Sequence, residues 1–235
     1  MTASAPLIQF SGVVKDYGGA ERLRIQALAV GRDERLVVSG LDEAAAETVL
    51  HLISGAALPD EGSVVIAGQD TREIATDTDW LLSLDRFGVV TRRAVLLETL
   101  SAAANIALPM TTSIDPMSDD TRRAVEALAD EAGLARDRLD AACRSLSPLD
   151  RLRLHLARAL ALGPEVLLLE HATRDLSDDR ARVDVARALK RAATARGIGW
   201  LAFADDPVFA AESGGARWRL EAATGRLIRQ RWWRT

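Results

Sequence analysis

The sequence predicts an α/β fold with a mostly parallel core sheet, a β-rich N-terminal edge and an inserted helical subdomain. Three observations lead to this prediction. Short apolar runs fill the first third of the chain, amphipathic helical patterns fill its middle, and buried-strand runs return near its end. Strand runs that alternate with helical patterns are typical of parallel sheets with helical crossovers. The chain of 235 residues is long enough for one large domain of this kind.

The N-terminal third contains the first strands and one helix. The runs LIQFSGVV and LRIQALAV are alternating or apolar, and RLVVSG has the pattern of a buried strand that ends at Gly40. An amphipathic helix is predicted from about Ala44 to Ile53. The run GSVVIAGQD then predicts a strand with a tight turn, and RFGVV predicts a further strand.

The middle of the chain is helical, with the runs ETLSAAANIALP, DDTRRAVEALADEAGL and SPLDRLRLHLARALAL. We expect one domain over residues 1–235, with a helical subdomain at about 98–162 inserted into a core of about 1–97 and 163–235. The strands EVLLLE and GWLAFA follow, separated by the helix DDRARVDVARALKRAATARG. The final run, ARWRLEAATGRLIRQR, predicts a hairpin with its turn at Ala-Thr-Gly.

Composition and charge exclude several classes of protein. A net charge of -4 and a sequence pI of about 5.5 provide no overall positive field for nucleic acid. No run approaches the ~20 apolar residues of a membrane-spanning helix, and the start MTASAPLIQF lacks the features of a signal peptide. The only cysteine, Cys143, excludes an internal disulfide, suits the cytosol, and is more typical of a small buried residue than of a reactive thiol.

Several stretches resemble the ATP-binding subunit of ABC transporters, in that family's order and spacing, from Leu7 to about Gln230. RLVVSGLDEAAAETVLHLISGAALPDEGSVVIAGQD resembles the family's strand, phosphate loop, helix and next strand. SLSPLDRLRLHLARALALGPEVLLLEHATRDLSDD resembles its signature helix, Walker B strand and D-loop, and LARALALGPEVLLLE is the most specific part. LLETLSAAANIALPM is similar to the subgroup that powers lipoprotein release, phospholipid trafficking or cell division. The resemblance implies a P-loop NTPase-like ABC ATPase domain.

The segment that resembles the phosphate loop lacks most of the residues that bind phosphate. Such a loop needs glycines for close backbone approach, a lysine for the terminal phosphates and a hydroxyl for magnesium. Here Gly40 and Thr48 are kept, Ala46 stands at the lysine position and Glu47 at the magnesium-hydroxyl position. Asp42 is placed to cap the following helix. One carboxylate about 4 Å from a phosphate costs on the order of 4 kcal/mol at an effective dielectric near 20.

The signature segment differs from the family in the same way. The family's Ser-Gly-Gly-Gln run becomes Ser147, Pro148, Leu149 and Asp150. Ser147 and Asp150 have the spacing of a capping box, and Pro148 suits the first position of a helix. The sequence therefore predicts a well-capped helix start in which Asp150 adds negative charge where a phosphate would bind.

Other positions that the resemblance assigns to nucleotide chemistry are also substituted. Glu170 ends the Walker B strand and is a weak candidate for a magnesium ligand, and His171 stands where the family has its catalytic glutamate. Arg92 aligns with the glutamine that senses magnesium and Asp205 with the switch histidine. Tyr17 aligns with the aromatic residue that stacks on adenine, although a single aromatic at a strand end is more often a packing residue.

The resemblance therefore implies a pseudo-ATPase: a cytoplasmic subunit on the inner face of the cell membrane with a structural or regulatory role. Its expected partners are a membrane permease subunit, an intact ABC ATPase paralogue, or both, with a dimer possible and no nucleic acid. No cofactor is expected. The alternative is an active ATPase that uses ATP and magnesium, with Glu47, Glu170 and His171 holding metal and water and Arg92 or Arg93 replacing the lysine. A standalone binding module fits less well, because the local charge is acidic.

For two further segments, the sequence leaves two structural interpretations open. In the loop TRRAVLLETL, the apolar residues Val95, Leu96 and Leu97 either accept a coupling helix from the permease or pack inside the domain. If they dock, we expect Leu96→Asp to release the permease without unfolding the domain. The basic and aromatic tail RQRWWRT suits a membrane interface or a protein groove, but it equally suits the end of a last strand.

Overall fold

The computed structural model describes residues 5–18, 22–74 and 76–230. Its main sheet has six strands, of which five are parallel and the last is antiparallel. Buried Val, Leu and Ile side chains dominate the central strands, as expected for a sheet covered on both faces. In their order across the sheet, these strands are β10 (Arg226–Arg229), β9 (Ala216–Glu221), β3 (Arg35–Ser39), β8 (Gly199–Phe203), β7 (Val166–Glu170) and β6 (Phe87–Thr91).

A second, antiparallel sheet forms the N-terminal edge of the molecule. Its strands alternate between buried and exposed residues, which is typical of a sheet with one covered face. The tight turn at Ala67 and Gly68 joins its last two strands, as the sequence predicts. In their order across the sheet, the strands are β2 (Leu23–Val30), β1 (Ile8–Lys15), β4 (Glu61–Ile66) and β5 (Gln69–Asp70).

The described residues contain seven α-helices, and each begins at a side-chain cap that accepts a hydrogen bond from the first turn. Four of them end at a glycine with positive φ. The helices are α1 (Glu43–Ser54), α2 (Asp77–Leu84), α3 (Ala102–Ala107), α4 (Asp119–Ala132), α5 (Pro148–Leu160), α6 (Asp179–Arg196) and α7 (Pro207–Ser213).

The main sheet separates two hydrophobic clusters. One cluster contains α3 to α7 and includes Trp200 and Cys143. The other lies between α1 and the antiparallel sheet and includes Phe10 and Phe203. Cys143 is fully buried, as the sequence suggests, and this burial raises the pKa of its thiol.

The predicted fold class is confirmed, and the differences are local. The sequence did not predict α2 or α7, and α3 covers only part of the helical run that begins at residue 98. The subdomain bounds at 98 and 162 remain a prediction, because α5 packs on β6 of the core as well as on α4. The aromatic residues of the tail lie outside the described residues. Among the described helices, none is both long and apolar enough to cross a membrane.

Candidate functional site

The candidate site lies at the carboxyl edge of the parallel strands, where open α/β sheets bind ligands. Strand β3 leads into the segment from Gly40 to Asp42, and β7 ends at Glu170. Strand β8 leads to Asp205, and β6 leads to Arg92 and the residues after it. The fold therefore brings together the sequence-predicted residues from all four of these strands.

Gly40 is held by the residue at the switch position. Its backbone N–H donates a hydrogen bond of 2.9 Å to Oδ1 of Asp205. Its φ of 86° and the carbonyl oxygen of Leu220, which lies 2.6 Å from the place of a Cβ, together require glycine here. An N–H that would otherwise be available to an anion is thus bonded to a carboxylate of the chain itself.

Helix α1 begins inside the segment that resembles a phosphate loop. Asp42 is its cap and accepts a hydrogen bond of 2.8 Å from the N–H of Ala45, so the predicted capping role is confirmed. Ala46, at the lysine position, is fully buried in the cluster beneath α1. The hydroxyl of Thr48 donates to the carbonyl of Ala44 at 2.7 Å. The helix therefore directs neither a lysine nor a free hydroxyl toward the strand ends.

A guanidinium lies between the two carboxylates nearest the predicted magnesium position. Arg93 forms ion pairs with Glu47 and with Glu170, whose Oε1 is 3.3 Å from Nε of Arg93. Glu170 is only 4% exposed, and its Oε2 accepts a hydrogen bond of 2.6 Å from the hydroxyl of Thr91. Burial by itself would lower the pKa of Arg93, but the hydrogen bond to Glu47 and the nearby carboxylates raise it.

Further ion pairs extend this arrangement toward the D-loop. Arg92 lies 3.1 Å from Glu43 and 2.7 Å from Asp175, and Arg174 also contacts Glu43 at 2.7 Å. Arg92 thus pairs with two acidic side chains. We call the whole set the ion-pair network, and its members are Glu43, Glu47, Glu170 and Asp175 with Arg92, Arg93 and Arg174.

His171 has an uncommon backbone conformation for a non-glycine residue, with a φ of 40°. Its N–H donates to the carbonyl of Phe203 at 2.9 Å. The Nε2 atom of its imidazole is buried and has no hydrogen-bond partner within the described residues. His171 lines a cavity of about 500 Å³ whose other charged lining residues are of both signs: Asp42, Asp205 and Asp206 with Arg174 and Arg182.

Tyr17 lies apart from the ion-pair network. It is partly buried, packs against the cluster beneath the antiparallel sheet, and lines a cavity of about 400 Å³ with Arg22, Arg24 and the start of α1. The packing role that the sequence favoured is therefore present, and the ring also borders an open space. Whether a base stacks on Tyr17 stays a prediction.

Ser147 caps α5 as the sequence predicts. Its Oγ accepts a hydrogen bond of 3.1 Å from the N–H of Asp150 and donates one of 2.8 Å to Oδ2 of the same residue. Pro148 follows at the first helical position and lines a cavity with Arg92 and Asp175. The start of the signature helix therefore uses its polar groups to stabilise its own first turn.

These residues do not fit a magnesium triphosphate. The buried Ala46 supplies no cation for terminal phosphates, and Asp42 places a carboxylate at the N-terminus of α1. Glu47 and Glu170 are both paired with Arg93. The guanidinium occupies the position between the two carboxylates that a metal ion would take. A metal at this position would have to displace that guanidinium.

Beside the network lies a groove at the β6 edge of the main sheet. We call it the β6 groove, a cavity of about 460 Å³ formed by the second half of α1, the end of α2, strand β6 and the last turn of α5. Its lining is mainly apolar and includes Val89 and Leu162, which are 39% and 52% exposed. Glu47, Arg93 and Glu170 border its inner end.

The loop after β6 corrects one expectation from the sequence. Leu96 is only 6% exposed and packs in the helical cluster, so it does not face a partner. Val95 and Leu97 are 73% and 43% exposed. The expectation that Leu96→Asp would leave the domain folded is therefore wrong. Of these three side chains, Val95 and Leu97 are the ones that solvent reaches.

Comparisons with known proteins agree with the fold and show the family. The family model described as ABC transporter matches residues 25–174, which is more than half of the chain. The chain is 33% identical over 174 residues to the macrolide export ATP-binding/permease protein MacB 1 of Aeromonas hydrophila. It is 32% identical over 177 residues to the methionine import ATP-binding protein MetN of Brucella abortus.

These alignments cover 72% and 75% of this chain but only 26% and 47% of the two relatives, so the chain spans less than half of their length. Among solved structures, the dimeric ABC transporter cassette MJ0796 has a TM-score of 0.78 and 23% identity, covering 96% of this chain and all of that one. CbiO1 of Clostridium perfringens has a TM-score of 0.77 and 17% identity, covering 96% of this chain and 88% of that one. Structural likeness at this identity supports the fold alone, and it is the family match over residues 25–174 that places the chain in the ABC transporter family.

Proposed function

We propose that this protein is a pseudo-ATPase subunit of a membrane transport complex, positioned on the cytoplasmic face of the membrane. In this role the ABC fold serves as a structural or regulatory platform that docks on a permease, on an intact ATPase paralogue, or on both. The observation that carries the proposal is the guanidinium of Arg93 between Glu47 and Glu170.

The charge balance at that position supports the proposal. Glu170 is buried, and a buried carboxylate that loses its cationic partner destabilises a protein strongly. Arg93 and Glu47 are partly exposed, so their own contact contributes less, and the contact with Glu170 matters most. Because Arg93 already neutralises Glu170, the folded chain does not need a metal ion at this position.

The proposed partners rest on the relatives and on the altered signature segment. MacB is named as an ATP-binding/permease protein, MetN as a methionine import ATP-binding protein, and MJ0796 forms a dimer. In the family, each ATP lies between the phosphate loop of one subunit and the signature segment of the other. Both segments are substituted here, through Ala46 and Glu47 in one and through Pro148 and Asp150 in the other. Pairing with an intact paralogue would therefore leave neither shared site complete.

One observation favours the alternative of an active ATPase. The Nε2 of His171 is buried and has no hydrogen-bond partner within the part of the chain that the structure describes, and an unpaired imidazole nitrogen can act as a base where a water reaches it. Under this alternative, magnesium-dependent ATP turnover would be measurable and would be lost in His171→Ala and in Glu170→Ala. The pseudo-ATPase proposal expects no turnover above that of these two variants.

Calorimetry tests the proposal directly. ATP with magnesium is titrated into the purified protein, with an intact member of the family as the positive control. We expect no binding heat and no rise in melting temperature at millimolar ATP. Binding at micromolar ATP would contradict the proposal, because it would require either Arg93 to leave its carboxylates or the nucleotide to bind without a metal at this position.

A further inference from the structure

We propose that a cavity between α5 and the loop after β6 binds a small organic acid, with Arg92 and Arg151 holding its carboxylate and His155 contacting a second polar group. We call it the α5 cavity, and its volume is about 340 Å³. Thr91 and Asp175 also line it. Binding there needs neither a permease nor a nucleotide, so this site goes beyond the proposed function.

His155 supplies a polar atom that lacks a partner. The side chain lines the α5 cavity and is partly buried. Its Nδ1 atom is buried and has no hydrogen-bond partner within the described residues. A buried polar atom without a partner costs free energy, and a hydrogen bond from a ligand in the cavity would remove that cost. A neutral imidazole nitrogen accepts from a hydroxyl or donates to an oxygen, according to its tautomer.

Two guanidinium groups that line the cavity keep N–H groups for a ligand. Arg151 contacts Glu98 through both terminal nitrogens, and its Nε has no acceptor within the described residues. Arg92 contacts carboxylates through Nη1 and Nε, and its Nη2 has no acceptor among the same residues. A guanidinium carries several N–H groups in one plane, so each arginine can bind a further carboxylate oxygen.

The charges around His155 favour an anion in the cavity. Burial, together with the charges of Arg158 and Arg151 on the same helix, lowers the pKa of His155 to about 4, so the imidazole is neutral at pH 7. From the segments packed against α5, Arg92 and Asp175 line the cavity. The two arginines of the lining outnumber Asp175, the acidic residue of the described lining. An anion would therefore bind where positive charge exceeds negative charge.

The size and the apolar part of the cavity restrict this anion to a small organic acid. Ligand pockets range from about 300 to about 1,000 Å³, so the α5 cavity is near the lower end. Pro148, Leu152 and Leu176 also line it and provide apolar walls. A short carbon chain packs against such walls, whereas inorganic phosphate does not. A carboxylate with a neighbouring hydroxyl satisfies the guanidinium groups, the imidazole and the apolar walls together.

Three probes of nearly equal size separate the groups of such a ligand. Lactate carries both the carboxylate and the hydroxyl, propionate lacks the hydroxyl, and lactamide replaces the carboxylate with a neutral amide. Titration of each probe into the full-length chain, followed by NMR spectroscopy, gives its dissociation constant. We expect lactate to bind at about 1 mM, which is reasonable for so small a molecule. Lactamide should bind about tenfold more weakly and propionate about threefold more weakly.

Three variants locate the binding. Arg151→Gln should weaken lactate binding about tenfold. His155→Leu should weaken lactate binding about threefold but change propionate binding by at most about twofold, because propionate has no hydroxyl for the imidazole. Arg123→Gln is the matched control, because Arg123 lies on α4 and pairs only with Asp120 among the described residues. This control should bind all three probes as the wild type does. Equal melting temperatures would show that the variants are folded.

The pKa of His155 is a readout that a purely structural effect of these substitutions would not change. A bound carboxylate favours the charged imidazolium, so lactate should raise this pKa from about 4 to about 5. By linkage, lactate should then bind about twofold more tightly at about pH 5 than at about pH 7. NMR titration of the imidazole C–H signals, with and without lactate, measures the change.

The contrary outcomes concern the ligand or the site. Lactamide or inorganic phosphate that binds as tightly as lactate would overturn the organic acid as the ligand class. Lactate binding that is unchanged in both Arg151→Gln and His155→Leu would overturn the site, as would the absence of binding by any probe at tens of millimolar. An unchanged pKa of His155 with lactate bound would overturn the contact with the imidazole. These outcomes leave the proposed pseudo-ATPase untouched, because calorimetry with ATP tests it separately.

Discussion

The ion-pair network and the β6 groove are adjacent, but they differ in whether their arginines are paired with carboxylates. In the network, Arg92, Arg93 and Arg174 each contact at least one carboxylate. In the groove, Arg158 contacts a backbone carbonyl and no described carboxylate, and large apolar side chains remain exposed beside it. A site whose charges are satisfied internally does not need a ligand, whereas a surface with unsatisfied chemistry gains stability when a partner covers it.

The same difference predicts which substitutions reduce stability and which reduce the binding of a partner. Network residues are held by partners within the chain, so removing Arg93 leaves the buried Glu170 without its cationic partner. Val89 and Leu162 of the groove have exposed side chains, so changing them leaves the domain intact. Variants of the two kinds of residue should therefore differ in their free energy of unfolding.

The sharpest test uses two adjacent residues in the loop after β6. Leu96→Asp would place a charge in the helical cluster, so we expect it to lower the free energy of unfolding by about 4 kcal/mol or more. Val95→Asp changes a side chain that is 73% exposed and should change it by at most about 0.5 kcal/mol. Urea unfolding followed by circular dichroism measures both variants. Similar losses of unfolding free energy in the two variants would contradict the assignment of Leu96 to the core and Val95 to the surface.

Ala46→Lys tests whether restoring the lysine of the phosphate loop is enough to restore phosphate binding beside the ion-pair network. Ala46 is fully buried, so an ammonium there would be removed from water without a partner. We expect a loss of about 3 kcal/mol in the free energy of unfolding and no gain of ATP binding by calorimetry. Micromolar ATP binding by this variant would show that a single residue, rather than the whole network, closes the site.

A double-mutant cycle on Arg93 and Glu170 measures the central contact of the network. Arg93→Gln leaves the buried Glu170 with only the hydroxyl of Thr91, and we expect a loss of about 2 kcal/mol. In the double variant with Glu170→Gln, the unpaired charge is absent, so the loss should be smaller than in Arg93→Gln alone. Arg123→Gln is the exposed control and should change stability by at most about 0.5 kcal/mol. Additive losses from the two substitutions would contradict the pairing.

Much of the fold was predictable because its determinants are local. The apolar runs of β3, β7 and β8 and the Gly-rich turns between elements predict a parallel sheet from sequence alone. The caps at Asp42 and Ser147 were predictable for the same reason, since each depends on residues within one turn of helix.

The ion-pair network was not predictable in detail, because its contacts join distant segments. The sequence suggests Arg93 only as a replacement for a lysine, whereas in the fold it pairs with Glu47 from α1 and Glu170 from β7. The burial of Leu96 has a similar origin, since three apolar residues in a row give no periodicity that separates core from surface. The charge run of Arg92 and Arg93 beside an acidic loop was the one available signal, and only the topology shows which charges meet.

His155 lies on α5, the helix that carries Arg158 one turn further on. Burial, with smaller contributions from the charges of Arg158 and Arg151, lowers the pKa of His155 from 6.5 to about 4. Unfolded chains therefore bind more protons between these two pH values, and stability is lost as pH falls through this window. Between about pH 7 and about pH 5 the loss should reach at most about 2 kcal/mol, and His155→Gln should reduce this difference in unfolding free energy. Urea unfolding at both pH values measures this, and an unchanged difference in the variant would show that other groups set the acid sensitivity of α5.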